Sequence, residues 1–260
     1  MKPLQHGARI CRGSLMGHEL YRTEDTYGEI VVSQRGNKRV LSFDSVLEQS
    51  CVLMDKPYYL MHEYTQVMLL GLLFTDASHV TLLGLGGGGL AHCLSHYYPQ
   101  TAIRAVELRQ AVIDIAYGWF DLPTNENLQV VQDDAAFYLA TVKPGTTDII
   151  FSDLYEAAGM SACQAQHNFF SACAKALSAQ GCLVLNFHKK PDPQSFLMQT
   201  IEDLFCDIIV FDAGNSNRIM FCCKQPAVLH REALNAKAET LVQLVKMPLL
   251  FYYRKLEQFK

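Results

Sequence analysis

The chain has 260 residues, half of them apolar and 10% aromatic, with a net charge of −4 at neutral pH. That supports one sizeable core with a small appended module and is too short for two full-sized domains. No long basic run is present, which argues against a nucleic-acid partner; mild acidity keeps a protein soluble and suits a cationic small molecule.

Nine cysteines are scattered without any C-x-x-C pair, and several sit inside apolar runs. This reads as a reduced cytoplasmic protein using cysteine as a small apolar residue, with neither a disulfide framework nor a zinc site. The first six residues lack the apolar region of a secretion signal. The longest apolar stretch, Val67 to Phe74, falls far short of the roughly 20 residues that span a bilayer, so no membrane association is expected.

Taken in chain order, residues 27–32, 39–43 and 50–53 are predicted as short strands, forming a small N-terminal β-domain over residues 1–56. Pro57 predicts a helix start, with apolar positions recurring at three and four residues from Tyr58 to Phe74. From His79 onward strands and helices alternate. Strands are predicted at 80–83, 102–106, 128–131, 148–151 and 182–186, followed by helices at 90–98, 110–120, 135–141, 168–179 and 193–205. Short apolar strands between helices predict a parallel sheet covered on both faces. Residues 207–211 and 218–224 follow with only a short turn between them, so they should pair antiparallel. The expected fold is α/β: a doubly wound, mostly parallel, seven-stranded methyltransferase-like sheet over residues 57–260, with an antiparallel last strand. A helix at 230–245 and an aromatic, basic tail at 248–260 close the chain.

The first strand of the alternation runs into Gly84-Leu-Gly-Gly-Gly-Gly89 and then a helix. Glycines let the backbone turn tightly against a ligand, and the helix N-terminus offers free N–H groups. Gly84, Gly86 and Gly88 are the candidate nucleotide-binding positions. The string also satisfies G-x-G-x-x-G, so a dinucleotide competes with an adenosyl sulfonium. Glu107 ends the next strand, where a carboxylate can accept both hydroxyls of a ribose; both ligands predict it. Asp134, after the third strand, can accept from an adenine amine, can cap the helix opening at Ala135, or can do both. The fourth strand delivers Asp153, Tyr155 and Glu156 at its carboxyl end, the customary crevice of such sheets. Two carboxylates this close can hold an amine and take its proton, and the Gly/Ala-rich stretch at 157–162 reads as a lid. His92 and His96 lie one turn apart without a third ligand, so no metal is expected. The loop at 188–190 reads as solvated.

The order of these residues resembles the spermidine synthase family, especially its shorter bacterial relatives. The strings that carry the resemblance are Tyr27-Gly28, Gln49-Ser50, Gly84-Leu-Gly-Gly-Gly, Val106-Glu107, Asp134-Ala135 and Asp148-Ile-Ile-Phe-Ser-Asp153-Leu-Tyr155. Phe169-Phe170 and Gly181-Cys-Leu-Val-Leu-Asn186 extend it. Such proteins are usually dimeric and transfer an aminopropyl group from decarboxylated S-adenosylmethionine to putrescine. The resemblance therefore implies a homodimer with an amine substrate. It assigns Glu107 to the ribose, Asp134 with Ala135 to the adenine, and Gln49 and His62 to the cofactor pocket. It makes Asp153 the proton acceptor, with Tyr155 and Glu156 on the acceptor side. Three departures stand out. The acid of the family's glycine loop is Gly87 here, the tyrosine of its Tyr-His-Glu string is Met61, and residues 212–217 hold no tyrosine ahead of the last strand. These fall on the amine side and leave two alternatives: a class I methyltransferase using intact S-adenosylmethionine, or a non-catalytic adenosyl-binding module.

Overall fold

In the computed structural model, residues 17–259 are described except 45–46, 157–158, 188–191, 214–216, 228 and 230–231. The loop at 188–190 and the first six residues of the chain, both read above, therefore lie outside the described residues.

The chain begins with four antiparallel strands, β1 (His18–Asp25), β2 (Gly28–Arg35), β3 (Lys38–Phe43) and β4 (Leu47–Leu53), paired in that order. The sequence reading missed β1, whose His-Glu-Leu-Tyr-Arg-Thr-Glu-Asp string is half charged and largely exposed, with no apolar face to signal a strand. One face of this sheet buries Ile30, Val32, Leu41 and Phe43 against Val112, Ile115 and Phe120 of the segment that follows the second central strand. Between Leu41 and Ser42 the β3–β4 register shifts, so Ser50 pairs with Leu41, Glu48 pairs with Ser42, and Gln49 is left unpaired. Such a bulge re-aims side chains. Glu48, Gln49 and Ser50 all reach the same cavity.

The predicted helix from Tyr58 is shorter than expected. Helix α1 spans Glu63–Met68 and tightens into a 3-10 turn over Leu69–Leu73. Residues ahead of it are claimed by tertiary contacts that a helix would break: Leu60 bridges to Val52, and Tyr58 stacks on His96 with ring centroids 3.8 Å apart. Gly71 lies so close to the sheet that an added Cβ would be 2.5 Å from Val184 Cγ2.

The alternation then follows as predicted: β5 (His79–Leu83), α2 (Gly89–Tyr97), β6 (Ala102–Glu107), α3 (Gln110–Trp119), β7 (Leu128–Gln132), α4 (Ala135–Thr141) and β8 (Thr147–Ser152). A two-residue hairpin, β9 (Tyr155–Glu156) and β10 (Gly159–Met160), precedes α5 (His167–Ala176) and β11 (Leu177–Phe187). After α6 (Phe196–Leu204) come β12 (Asp207–Asp212) and β13 (Arg218–Cys223), then α7 (Glu232–Val245), α8 (Leu249–Tyr253) and β14 (Glu257–Gln258). The central sheet runs β14-β12-β13-β11-β8-β5-β6-β7. Pairs from β7 to β11 are parallel, and those from β11 to β14 are antiparallel. The sheet thus has the expected seven strands plus β14, a two-residue edge supplied by the tail.

Alternate side chains along each strand enter opposite layers. Leu82, Phe151 and Val184 pack with α2, α7 and α8, whereas Leu83, Ile150 and Leu185 pack with α4, α5 and α6. Register also aligns the strand ends. Val106 pairs with both Leu83 and Val131, Ser152 with Leu83, and Leu185 with Ser152. The residues one step further, Gly84, Glu107, Gln132, Asp153 and Asn186, therefore come out along one edge. The strand order reverses between β5 and β8, so the crevice opens there.

Candidate active site

A cavity of about 540 Å³ occupies this crevice, roofed by β4 and the segment before α1. At its floor the glycine loop takes backbone angles that L side chains avoid: φ is +92° at Gly84 and +54° at Gly86. There is no room for side chains either. A Cβ at Gly84 would lie 2.4 Å from the Asp153 carbonyl oxygen, and one at Gly86 would lie 2.4 Å from Ser50 Oγ. Gly88 serves differently: at φ +78° it caps α2 and faces Leu122, outside the cavity wall. The Ser50 hydroxyl accepts from the Gly87 N–H at 2.9 Å, so the N-terminal sheet braces the loop directly.

Glu107 points into the cavity with its carboxylate already oriented. Oε2 accepts from Leu85 N–H and Oε1 from Arg109 N–H, each at 3.0 Å. Burial pushes its pKa up, and these amides pull against that shift. Asp134 caps α4, Oδ1 accepting from Ala136 and Phe137 N–H at 2.8 and 3.1 Å. Asp134 and Ala135 also line the cavity, so the cap leaves Oδ2 available to a ligand.

At the other end, Asp153 is held from two sides. Asn186 Nδ2 donates to Oδ1 at 2.8 Å, and the Tyr64 hydroxyl donates to Oδ2 at 3.1 Å. Burial raises the Asp153 pKa; the two donors favour the charged form and limit the rise. Behind it, buried Ser152 donates to Gln164 Oε1 at 2.6 Å, while Gln164 Nε2 donates to the Leu154 carbonyl at 3.2 Å. Gln164, two residues past the stretch read as a lid, is thereby tied to the end of β8; residues 157–158 of that stretch lie outside the described residues.

The sequence reading treated Met61 as the lost tyrosine of this wall and gave Asn186 no role. Tyr64, three residues on and within α1, supplies a phenol to Asp153. His62 and Tyr155 line the cavity as expected, and Gln49 does so from the bulge. Glu156 lies in β9, at the start of the hairpin that follows Asp153. His92 is instead a core residue bonded to the Phe120 carbonyl at 2.9 Å, and no metal-type cluster occurs among the described residues.

Among the described residues, three buried polar atoms of the wall have no hydrogen-bond partner: His62 Nε2, Tyr155 OH and Asn186 Oδ1. Unpartnered buried polar atoms are rare in folded proteins, and here they surround Asp153 as they would a polar ligand. Burial lowers the His62 pKa, so its ring is neutral. The described wall carries five carboxylates, Glu48, Glu107, Asp133, Asp134 and Asp153, against one basic side chain, Arg109. Arg109 is already spent, its guanidinium bonded to both Asp25 oxygens at 3.0 and 2.8 Å and to the Gly28 carbonyl at 2.8 Å.

A doubly wound sheet with a glycine loop, an acidic strand end and an acidic crevice defines the class of small-molecule-binding folds shared by methyltransferases and spermidine synthases. The spermine/spermidine synthase domain model matches residues 61–214, and the chain belongs to that family. A polyamine aminopropyltransferase of Neisseria meningitidis is 35% identical over 164 residues, covering 62% of each chain. The chain thus spans less than two thirds of that relative's length. In overall fold it is similar to a probable spermidine synthase from Corynebacterium glutamicum, with TM-score 0.74, 20% identity and 87% of both chains covered. It is also similar to human methyltransferase-like protein 13, with TM-score 0.63, 21% identity and 72% and 94% of the two chains covered. No helix among the described residues is long and apolar enough to cross a membrane.

Proposed function

We propose that this protein transfers an aminopropyl group from decarboxylated S-adenosylmethionine to a primary amine such as putrescine or another polyamine. The observation that carries this reading is the charge of the cavity: five carboxylates face a space whose one arginine is paired elsewhere. A sulfonium bearing an amine, and an amine acceptor, are both cations. An intact amino acid tail would bring a carboxylate into the same space without a counter-charge among the described residues.

The adenosine sits over the glycine loop, its ribose on Glu107 and its base beside Asp134 and Ala135. The leaving group departs as a neutral thioether, so no acid is needed. The cost lies in the nucleophile: freeing an amine of pKa near 10 at neutral pH takes roughly 4 kcal/mol. As nitrogen bonds to carbon and the sulfur–carbon bond breaks, one N–H proton passes to Asp153. Tyr64 and Asn186 hold the carboxylate in place, and the free His62, Tyr155 and Asn186 atoms position the amine. Glu156, whose side chain lies outside the described residues, keeps its expected place on the acceptor side.

Further expectations belong with this reading: a homodimer, and a cytoplasmic enzyme requiring no metal. A second reading, methyl transfer from intact S-adenosylmethionine, is favoured by one feature, the missing acid at Gly87 in the glycine loop. Calorimetric titration with each sulfonium decides. Preference for the decarboxylated form supports aminopropyl transfer, and equal or tighter binding of the intact form overturns it.

A further inference from the structure

Of the five carboxylates on the wall, four have a place in the site already described. Glu107 is oriented by two backbone amides at the ribose end. Asp134 caps α4, and Asp133 accepts from the Asp134 N–H at 2.8 Å beside it. Asp153 stands between Tyr64 and Asn186. Glu48 is left over, and its position is unusual. It belongs to the N-terminal sheet, on the strand whose bulge breaks the normal in-out alternation. Two residues further on, Ser50 touches the glycine loop, its hydroxyl 2.9 Å from Gly87 N. Glu48 therefore lines the cavity from the strand that braces the loop, and the loop itself supplies no acid.

The protein leaves this carboxylate incompletely satisfied. Oε1 lies 3.7 Å from His62 Nε2, beyond hydrogen-bonding distance, and that nitrogen has no hydrogen-bond partner among the described residues. Burial keeps the imidazole neutral, so it does not cancel the charge. Oε2 meets Arg35 at 3.3 Å on the solvent side, where the arginine is half exposed. Such an exposed pair contributes little, so the charge remains available to a ligand on the inner side. The His62 ring stacks on Tyr64 at 5.5 Å between centroids, and Tyr64 reaches Asp153. Glu48 and Asp153 are thus the two anionic ends of one aromatic wall.

We propose that Glu48 anchors the primary ammonium of the aminopropyl group on the bound sulfonium, from across the cavity and in place of any acid in the glycine loop. The assignment rests on the aminopropyl-transfer reading, and it makes the N-terminal sheet part of the binding site. It also names the feature that separates the decarboxylated sulfonium from the intact one: a carboxylate tail brought to Glu48 would meet like charge.

The test compares wild type with Glu48→Gln, an isosteric change on a half-exposed strand, for binding of decarboxylated S-adenosylmethionine and of 5′-methylthioadenosine. The second probe keeps the adenosine and lacks the ammonium. The expected result is a loss of roughly tenfold or more for the sulfonium, as for one charge-assisted hydrogen bond, with methylthioadenosine unchanged. Unchanged sulfonium affinity in the variant overturns the assignment. So does an equal loss for both probes, which would make Glu48 a part of the adenosine pocket. If the variant instead binds the sulfonium normally and loses putrescine affinity in the presence of methylthioadenosine, the carboxylate serves the acceptor and the proposal is wrong. A wild type that binds the sulfonium no better than methylthioadenosine removes the aminopropyl-transfer reading itself, a different failure read in the same experiment.

Discussion

The hydroxyl of Tyr64 lies 3.1 Å from Oδ2 of Asp153, joining a residue of the first helix to the end of the fourth central strand. This bond stabilises the ionised carboxylate and so lowers the pKa that burial raises. Tyr64→Phe removes the donor and leaves the burial. The Asp153 pKa then rises further, and the acidic limb of the pH–rate profile moves to higher pH. Turnover at neutral pH falls by roughly tenfold, a typical effect of one lost hydrogen bond to a charged group. An acidic limb that stays in place in this variant would show that Asp153 is not the titrating base.

Asp153→Asn separates catalysis from stability. The amide accepts from Asn186 through its oxygen and donates to the Tyr64 hydroxyl through its nitrogen, so both neighbours remain bonded. Without a base, turnover should drop by about 10²–10⁴-fold. Stability moves the other way. The folded-state pKa of Asp153 is raised above its ordinary value, so the stabilisation offered by the neutral acid is complete below the unfolded pKa. It is lost as pH rises through the folded pKa. Asparagine does not ionise, so the variant should melt higher than wild type at pH 7, with the difference vanishing below roughly pH 4, the ordinary carboxylate range. Thermal melts across pH check this, and a lower melting temperature at pH 7 would contradict it.

How much of this site could be read from the chain follows from where its residues lie. Gly84, Glu107, Asp134 and Asp153 each stand just past an apolar strand, and parallel register brings such positions to one edge without further information. Tyr64 escaped because its helix was expected to start at Tyr58 with Met61 in the tyrosine's place. The true start, at Glu63, is set by the Val52–Leu60 bridge and the Tyr58–His96 stack, both long-range. Glu48 escaped because it lies ahead of the strand expected at residues 50–53, so no pattern placed it on the cavity side; it lines the cavity from β4, next to the bulge at Gln49. Strands β1 and β14 had no apolar pattern to find: the first is half charged and largely exposed, and the second is two exposed residues paired with β12.

Arg109 couples the two sheets. Its guanidinium is 6% exposed, bonded to Asp25 and to the Gly28 carbonyl, and packed 4.6 Å from the centre of the Phe43 ring. Arg109→Met keeps much of the volume and strips the partners from Asp25. Breaking a buried pair from one side costs about 3–5 kcal/mol; Asp25 is partly solvated, so a loss near the lower end is expected in urea unfolding. Because Ser50 braces the glycine loop from the same N-terminal sheet, ligand affinity should fall with it. A variant as stable as wild type would show that the apolar contacts of Ile30, Leu41 and Phe120 hold the sheets together unaided.

Gly84 tests whether the loop positions the base. Its φ of +92° disfavours alanine, and the new Cβ would lie 2.4 Å from the Asp153 carbonyl oxygen. Neither backbone can yield freely. Gly84 N–H donates to the Val106 carbonyl at 2.8 Å, and Asp153 N–H donates to the Leu83 carbonyl at 2.9 Å. Gly84→Ala should therefore cost about 1–3 kcal/mol in stability. It should also shift Asp153, and a displacement of about 1 Å at a reacting group can lower turnover by ~10²-fold. Gly145 provides the control: its φ is +71°, but an added Cβ there meets nothing within 4 Å. Gly145→Ala carries backbone strain without the clash, so it should lose stability and keep its turnover per folded molecule. If both variants lose turnover alike, strain alone accounts for the loss; if only Gly84→Ala does, the close approach of the glycine loop to β8 is what sets the base in place.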